Sequence, residues 1–175
     1  MDRNSVAGLI AEIADYPLPG VVFKDVTPIS GDPDAARWVN QEIASRFKDS
    51  GATRIVGVEA RGFILGASLA THMHLGFVPI RKSGKLPRET YRAEYELEYG
   101  ADSIEIHRDA LTSQDRVIIV DDVLATGGTA CAAIDLIHEC GAQVLGIAIL
   151  LDLAFLGGNA KVMTRNPGID IFAVL

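Results

Sequence analysis

Two adjacent carboxylates, Asp121 and Asp122, stand at the end of an apolar run and just ahead of a Thr-Gly-Gly-Thr turn. Carboxylates accept hydrogen bonds from hydroxyl groups. Beyond them, Ala125, Thr126, Gly127, Gly128 and Thr129 are small and open an alanine-rich segment that reads as a helix. Small residues leave backbone N–H groups exposed at a helix N-terminus, which suits a phosphate. Thr126 also reads as the cap of that helix, because capping and phosphate binding use the same geometry. Hydroxyl acceptors beside a phosphate cradle fit a sugar phosphate. The run VIIV at 117–120 suits a strand buried on both faces of a parallel sheet. The acids would then lie at its carboxyl end, where such sheets bind ligands.

Further charges are grouped elsewhere. Glu59-Ala60-Arg61-Gly62 sits where a strand gives way to a helix, a second anion-ready terminus. Arginine pairs well with phosphate there, through its planar fork. Arg81, Lys82, Lys85 and Arg88 form a cationic cluster at the entrance to a polar stretch, residues 83–108. No GxxxxGK[ST] or helix-opening GxGxxG occurs, which argues against a P-loop or a dinucleotide fold. A magnesium site of the receiver or DxD type would need a third acid, or different spacing, near the first strand. The histidines and cysteines have no zinc spacing. Cys131 and Cys140 form neither a CxxC motif nor a disulfide framework, so they read as reduced core thiols of a cytoplasmic protein.

The surrounding chain must hold these groups in place. With 175 residues, 49% of them apolar, it can bury one substantial core, so residues 1–175 read as a single domain. A net charge of −7 without a basic block disfavours nucleic acid. No signal core is visible, and no apolar run reaches the ~20 residues that span a bilayer. Residues 5–14 have helical spacing, and GVVFKDVTPIS reads as extended. Asp32-Pro33 opens a helix to about Lys48. Strands are expected at TRIVGVE, GFVPIRK, 116–121, 143–151 and IDIFAVL, with helices over 61–74 and 128–140. This alternation predicts an α/β fold with a mostly parallel central sheet flanked by helices. Residues 83–108 are too long for a simple connection and read as a flexible loop and β-ribbon over the site. Residues 152–168 carry no readable role.

The strand, acid pair and Thr-Gly loop resemble the PRPP-binding signature of the type I phosphoribosyltransferases (PRPP is 5-phosphoribosyl 1-pyrophosphate). YPLPGVVFKDVTPI, VGVEARGFILGASLA, FVPIRKSGKLPRETY, YELEYGADSIEIH and VDDVLATGGTA are similar, in order, to successive blocks of that family's adenine-specific branch. The resemblance implies the type I fold, with residues 1–30 as a small N-terminal hood that binds the base. It implies transfer of phosphoribose from PRPP to N9 of adenine, giving AMP and pyrophosphate in purine salvage. Transfer to another base, or a PRPP-sensing regulator on the same fold, are the alternatives.

Roles follow by the same resemblance. Asp121 and Asp122 would accept the ribose hydroxyls, and Ala125, Thr126, Gly127, Gly128 and Thr129 would hold the 5′-phosphate. Arg61, Arg81, Lys82 and Lys85 would bind pyrophosphate, with some of these cations reaching a neighbouring subunit in a homodimer. Glu98 would contact N7 of the base and relay its proton, with Tyr99 seating the closed loop. Val22, Phe23, Lys24 and Val123 would form the adenine pocket, Lys24 and Val123 standing where arginine and leucine are common. Mg2+ would arrive mainly on PRPP's own oxygens rather than in a protein cage. Related enzymes often carry a cis non-proline peptide in the Arg61 loop.

Overall fold

The computed structural model of the chain describes residues 1–96 and 101–175. Helix α1 (Arg3–Ala7) leads to strands β1 (Ala11–Ala14) and β2 (Val22–Asp25), which pair antiparallel as a separate ribbon. Helices α2 (Thr27–Gly31) and α3 (Pro33–Phe47), strand β3 (Arg54–Val58), helix α4 (Arg61–Met73) and strand β4 (Gly76–Lys82) follow. Strands β5 (Thr90–Glu96) and β6 (Ala101–His107) precede β7 (Arg116–Leu124) and α5 (Gly128–Glu139). The chain continues through β8 (Gln143–Asp152), a 3-10 turn at Ala154–Leu156, α6 (Gly158–Arg165) and β9 (Asp170–Ala173).

The main sheet has the order β5-β6-β4-β3-β7-β8-β9. From β4 to β9 every neighbouring pair is parallel. Strand β6 joins β4 antiparallel, and β5 joins β6 the same way. This is the α/β architecture that the alternating pattern predicts. Strand β7 lies between two cores: Val117 and Ile119 pack with α5, while Ile118 and Val120 pack with α3 and α4. Alternating side chains point to opposite faces, so a strand covered on both sides must be apolar throughout. Ile118 and Ile119 are almost fully buried, and each such side chain contributes about 1.5–3 kcal/mol. The acid pair is therefore carried on a strand packed on both faces.

Several elements differ from expectation. Residues 5–14 do not form one helix: α1 stops before Gly8, and Ala11–Ala14 becomes a strand because β2 offers it a partner. Pairing with a neighbouring strand here overrides a helical pattern in the sequence. Thr27–Gly31 is helical rather than extended, with Pro28 in the first turn and Ile29 buried in the core. Asp32 does cap α3, accepting the N–H groups of Asp34 and Ala35 at 2.9 Å each. Strand β7 runs on past Asp121 to Leu124, held by β8.

Candidate active site

The acid pair stands inside the last part of β7, not beyond it. Asp121 Oδ1 accepts the Asp122 N–H at 2.9 Å. The first turn of α4 presses onto this carboxylate, for a Cβ built on Gly62 would lie 2.9 Å from Asp121 Oδ1 and from the Val120 carbonyl oxygen. Burial first, and the adjacent Asp122 charge second, push the Asp121 pKa well above its ordinary value. Asp122 is itself buried, and its Oδ2 lies 2.6 Å from Arg61 Nε. That N–H is not aimed at the oxygen, so Oδ2 has charge contact without a hydrogen bond.

Arg61, at the start of α4, also covers the hood. Its guanidinium carbon is 5.3 Å from the centroid of the Phe23 ring, and Tyr16 packs edge-on against the same ring at 5.2 Å. Three separate elements, β2, α4 and β7, thus bring Phe23, Arg61 and Asp122 together. Val22 and Lys24 flank Phe23 on the ribbon, but the Lys24 ammonium pairs with Glu12 across it. Successive strand side chains face opposite ways, so the Lys24 side chain leaves the ribbon on the face away from the Phe23 ring. Val123 is partly buried and packs into the core shared with α3 and α4.

After β7 the chain turns through Gly127, whose φ of +78° favours glycine, and α5 begins at Gly128 with no side-chain cap. Thr126 is exposed and does not cap the helix, contrary to the sequence reading. The reason is local, since a left-handed glycine now occupies the capping position. With no side-chain cap, the N–H groups of the first turn remain available to an anion. Behind the loop stands Gly158, the first residue of α6. A Cβ there would lie 2.2 Å from the Ala125 carbonyl oxygen and 2.9 Å from the Gly127 nitrogen.

The cations rest on carboxylates. Arg81 donates through Nε to Glu59 Oε2 at 3.2 Å and through a terminal nitrogen to Oε1 at 3.3 Å. Its other terminal nitrogen donates to the Lys85 carbonyl at 3.1 Å. Glu59 also accepts the Lys82 N–H at 2.9 Å. Burial would raise the Glu59 pKa, but the Lys82 N–H and the Arg81 guanidinium outweigh it and hold the group below its ordinary value. The Lys82 ammonium lies 2.9 Å from Asp102 Oδ2 on β6, a contact that lowers the Asp102 pKa and raises that of Lys82. The peptide bond between Glu59 and Ala60 is cis. Glu98 and Tyr99 lie outside the described residues.

Sequence reasoning gave no role to Glu59, Asp102 or Gly158. Glu59 was visible inside the Arg61 loop, and the Gly157-Gly158 pair was visible as a turn, but nothing local announced their distant partners. Both cysteines are free and sheltered; burial raises each thiol, Cys140 to about 11. Among the described residues no helix is long and apolar enough to cross a membrane.

Residues 33–161 match the family described as "Phosphoribosyl transferase domain". An adenine phosphoribosyltransferase of Streptomyces coelicolor is 52% identical over 166 residues, covering 95% of this chain and 91% of that relative. The crystal structure of adenine phosphoribosyltransferase from Thermoanaerobacter pseudethanolicus superposes with a TM-score of 0.92 at 44% identity, covering 98% of each chain. The Saccharomyces cerevisiae enzyme, solved with an imino-altritol bisphosphate and adenine, superposes at 0.90 with 35% identity, covering 99% of this chain and 98% of that one.

Proposed function

The chain belongs to the phosphoribosyltransferase family, and from that membership we propose how its residues divide the work of one reaction. It transfers the 5-phosphoribosyl group of PRPP to N9 of adenine, releasing pyrophosphate and giving AMP in purine salvage. The observation that carries the division of labour is the meeting of Phe23, Arg61 and Asp122, with the uncapped start of α5 following β7 after a short loop. We assign to these three a base platform, an anion receptor and a hydroxyl acceptor, and to the loop that follows Asp122 in the chain the phosphate cradle.

The 5′-phosphate sits on the Ala125–Thr129 loop, taken by backbone N–H groups and the hydroxyls of Thr126 and Thr129. Asp121 and Asp122 accept from the ribose hydroxyls. As the bond at C1 breaks, the sugar gains oxocarbenium character, which the Asp122 charge favours. Arg61, Arg81, Lys82 and Lys85 take up the negative charge of the departing pyrophosphate. Adenine lies on Phe23 in place of the Arg61 guanidinium, with Val123 opposite and the backbone of Val22 and Lys24 reading its edge. Glu98 contacts N7 and relays the proton lost as N9 bonds to C1.

Residues 1–30 serve as the hood of a single domain, and residues 83–108 cover the site. Mg2+, carried mainly by PRPP, supplies charge neutralisation at the leaving group when bound. The carboxylates of Asp121 and Asp122 are hard oxygen donors of the kind Mg2+ takes, and Asp122 Oδ2 is paired with the Arg61 guanidinium in the structure. A cytoplasmic homodimer is the working form. Ile13, Tyr16, Leu18, Val21 and Val22 are exposed on or beside the hood, and an apolar cluster of this kind suits cover by a second subunit.

The test is AMP formation from PRPP and Mg2+, with adenine, hypoxanthine, guanine and xanthine assayed side by side. Adenine should be the preferred base. A preference for a 6-oxopurine, or no nucleotide formed from any base, would overturn the reading.

A further inference from the structure

Glu105 is a buried carboxylate without a part in the reaction described above. It lies on β6, 8% exposed, on the face opposite Ile104 and Ile106, which pack into the core with α5. A carboxylate taken out of water needs a cation or hydrogen bonds. Two arginines stand opposite Glu105 in the sheet register, Arg81 on β4 and Arg92 on β5. Among the described residues neither pairs with it, because Arg81 is held by Glu59 and Arg92 by Glu94. Both Glu105 oxygens go to one turn instead. Oε1 accepts the Ser83 hydroxyl at 2.6 Å, and Oε2 accepts the Gly84 N–H at 3.1 Å.

That turn delivers Lys85. The Lys85 N–H donates to the Lys82 carbonyl at 3.2 Å, and Gly84 has a φ of +77°, as the third position of a type II turn requires. The Ser83 N–H donates to the Ser103 carbonyl at 3.1 Å, so the turn begins where β4 leaves β6. Arg81 and Lys82 each rest on a carboxylate, Glu59 and Asp102, whereas among the described residues the exposed Lys85 ammonium has none. What is fixed is the Lys85 backbone, whose carbonyl accepts from Arg81 at 3.1 Å. Burial raises the Glu59 pKa, and the Lys85 charge joins the Lys82 N–H and Arg81 in lowering it, so that ammonium is within charge range of the carboxylate that holds Arg81. We propose that Glu105 is a positioning residue of the pyrophosphate site: it clamps the Ser83-Gly84 turn so that Lys85 stays beside Arg81 with its ammonium left for the ligand. The inference rests on the reading of Arg81 and Lys85 as pyrophosphate ligands. A carboxylate suits the task because the hydroxyl and the N–H both donate; glutamine can replace it by turning its NH2 to the Ser83 hydroxyl.

The experiment measures KM for PRPP and for adenine, and by calorimetry the Kd of pyrophosphate with Mg2+ and of AMP, which carries no pyrophosphate. It uses the intact protein, Glu105→Leu, Glu105→Gln, Ser83→Ala, Lys85→Ala, and Glu105→Leu combined with Lys85→Ala. Glu105→Leu should raise the PRPP KM and the pyrophosphate Kd about tenfold or more, and leave the adenine and AMP constants within about twofold. Glu105→Gln should recover most of that loss, and Ser83→Ala, lacking one of the two bonds, should raise the same pair about threefold. Lys85→Ala should raise them too, and the double variant should be little worse than the poorer single one, since the clamp acts through Lys85. Thermal unfolding checks that the variants fold, and if Glu105→Leu does not, Ser83→Ala and Glu105→Gln decide. Equal losses for AMP and pyrophosphate would make Glu105 a general support of the fold and overturn the inference. Unchanged pyrophosphate constants, full additivity with Lys85→Ala, or a glutamine variant no better than leucine would overturn it too. Failure of the unaltered protein to bind PRPP or pyrophosphate is a different result: it would remove the reading of Arg81 and Lys85, and the inference with it.

Discussion

Gly158 offers the sharpest test of the phosphate cradle, because it lies outside the motif and touches only the motif's back. Alanine at 158 would place its Cβ 2.2 Å from the Ala125 carbonyl oxygen and 2.9 Å from the Gly127 nitrogen. Ordinary contact begins near 3.4 Å, so the loop or α6 must move by about 1 Å, and both obstacles are backbone. Overpacking of this kind costs about 1–3 kcal/mol. A misplacement of ~1 Å in a positioned group can cost about 100-fold in rate. Gly158→Ala should therefore raise the KM for PRPP, or lower kcat/KM for it, by about 10- to 100-fold, with a lower Tm. The KM for adenine should change little. Gly157→Ala is the control: its φ of +70° makes alanine strained, but a Cβ there meets nothing within 4 Å. It should lower Tm and spare the PRPP kinetics. Steady-state kinetics and thermal melts on the two variants decide the matter. If Gly158→Ala binds PRPP normally, or if Gly157→Ala weakens it as much, the loop is not held from behind by α6.

Asp121→Asn removes a carboxylate whose pKa is raised in the folded chain, by burial and then by the charge of Asp122. The folded state then binds more protons than the unfolded one, so this group's contribution to stability falls as pH rises from about its ordinary 3.8 through the raised native value. The variant should lose turnover yet melt higher than the parent at pH 7, the gap closing toward pH 4; a lower Tm at pH 7 would count against it. Glu59→Ala leaves the Arg81 fork and the Lys82 N–H unpaired, at a cost of about 1–3 kcal/mol. It should weaken PRPP about tenfold or more, with Glu59→Gln intermediate, and equal PRPP KM values across the series would exclude Glu59 as the anchor of those cations. Phe23→Leu removes the aromatic face while keeping an apolar side chain, at about 0.5–1.5 kcal/mol. The KM for adenine should rise several-fold and that for PRPP should not, and the reverse pattern would move the base elsewhere.

What the sequence made legible was whatever is contiguous along the chain. VIIVDD reads as a buried strand because both its faces are covered, and Asp32-Pro33 reads as a helix start because cap and first turn are neighbours. The PRPP motif is legible for the same reason: acids, turn and helix follow one another without a gap. Strand β1 was not, since four exposed residues become a strand only when β2 folds back on them. Glu59 and Arg81 are 22 residues apart and meet because β3 and β4 lie side by side in the sheet. Gly158 reaches the phosphate loop from the far end of β8, and Asn40 reaches Ser68 across two packed helices. Pairings made by topology leave no periodicity to read, so the residues proposed to face the ligand were visible while the residues that hold them were not.

Three ion pairs around the site follow one logic. Arg61 stands on Asp122, Arg81 on Glu59 and Lys82 on Asp102. A cationic pocket built for a polyanion would repel itself when empty, and each carboxylate relieves that repulsion while keeping its cation in place. The three pairs are not equivalent. Glu59 and Asp102 are not assigned to the substrate, so Arg81 and Lys82 can remain tethered while presenting their remaining donors. Arg61 and Asp122 are both assigned to the substrate: PRPP's pyrophosphate competes for the first, and its ribose hydroxyls compete for the second. Under those assignments one ligand would satisfy both halves of the pair that it breaks. Neither half is left as an isolated buried charge, which would be the costly outcome. Under the proposed roles the same exchange would lift the guanidinium from Phe23, so that seating the sugar would also clear the ring assigned to the base.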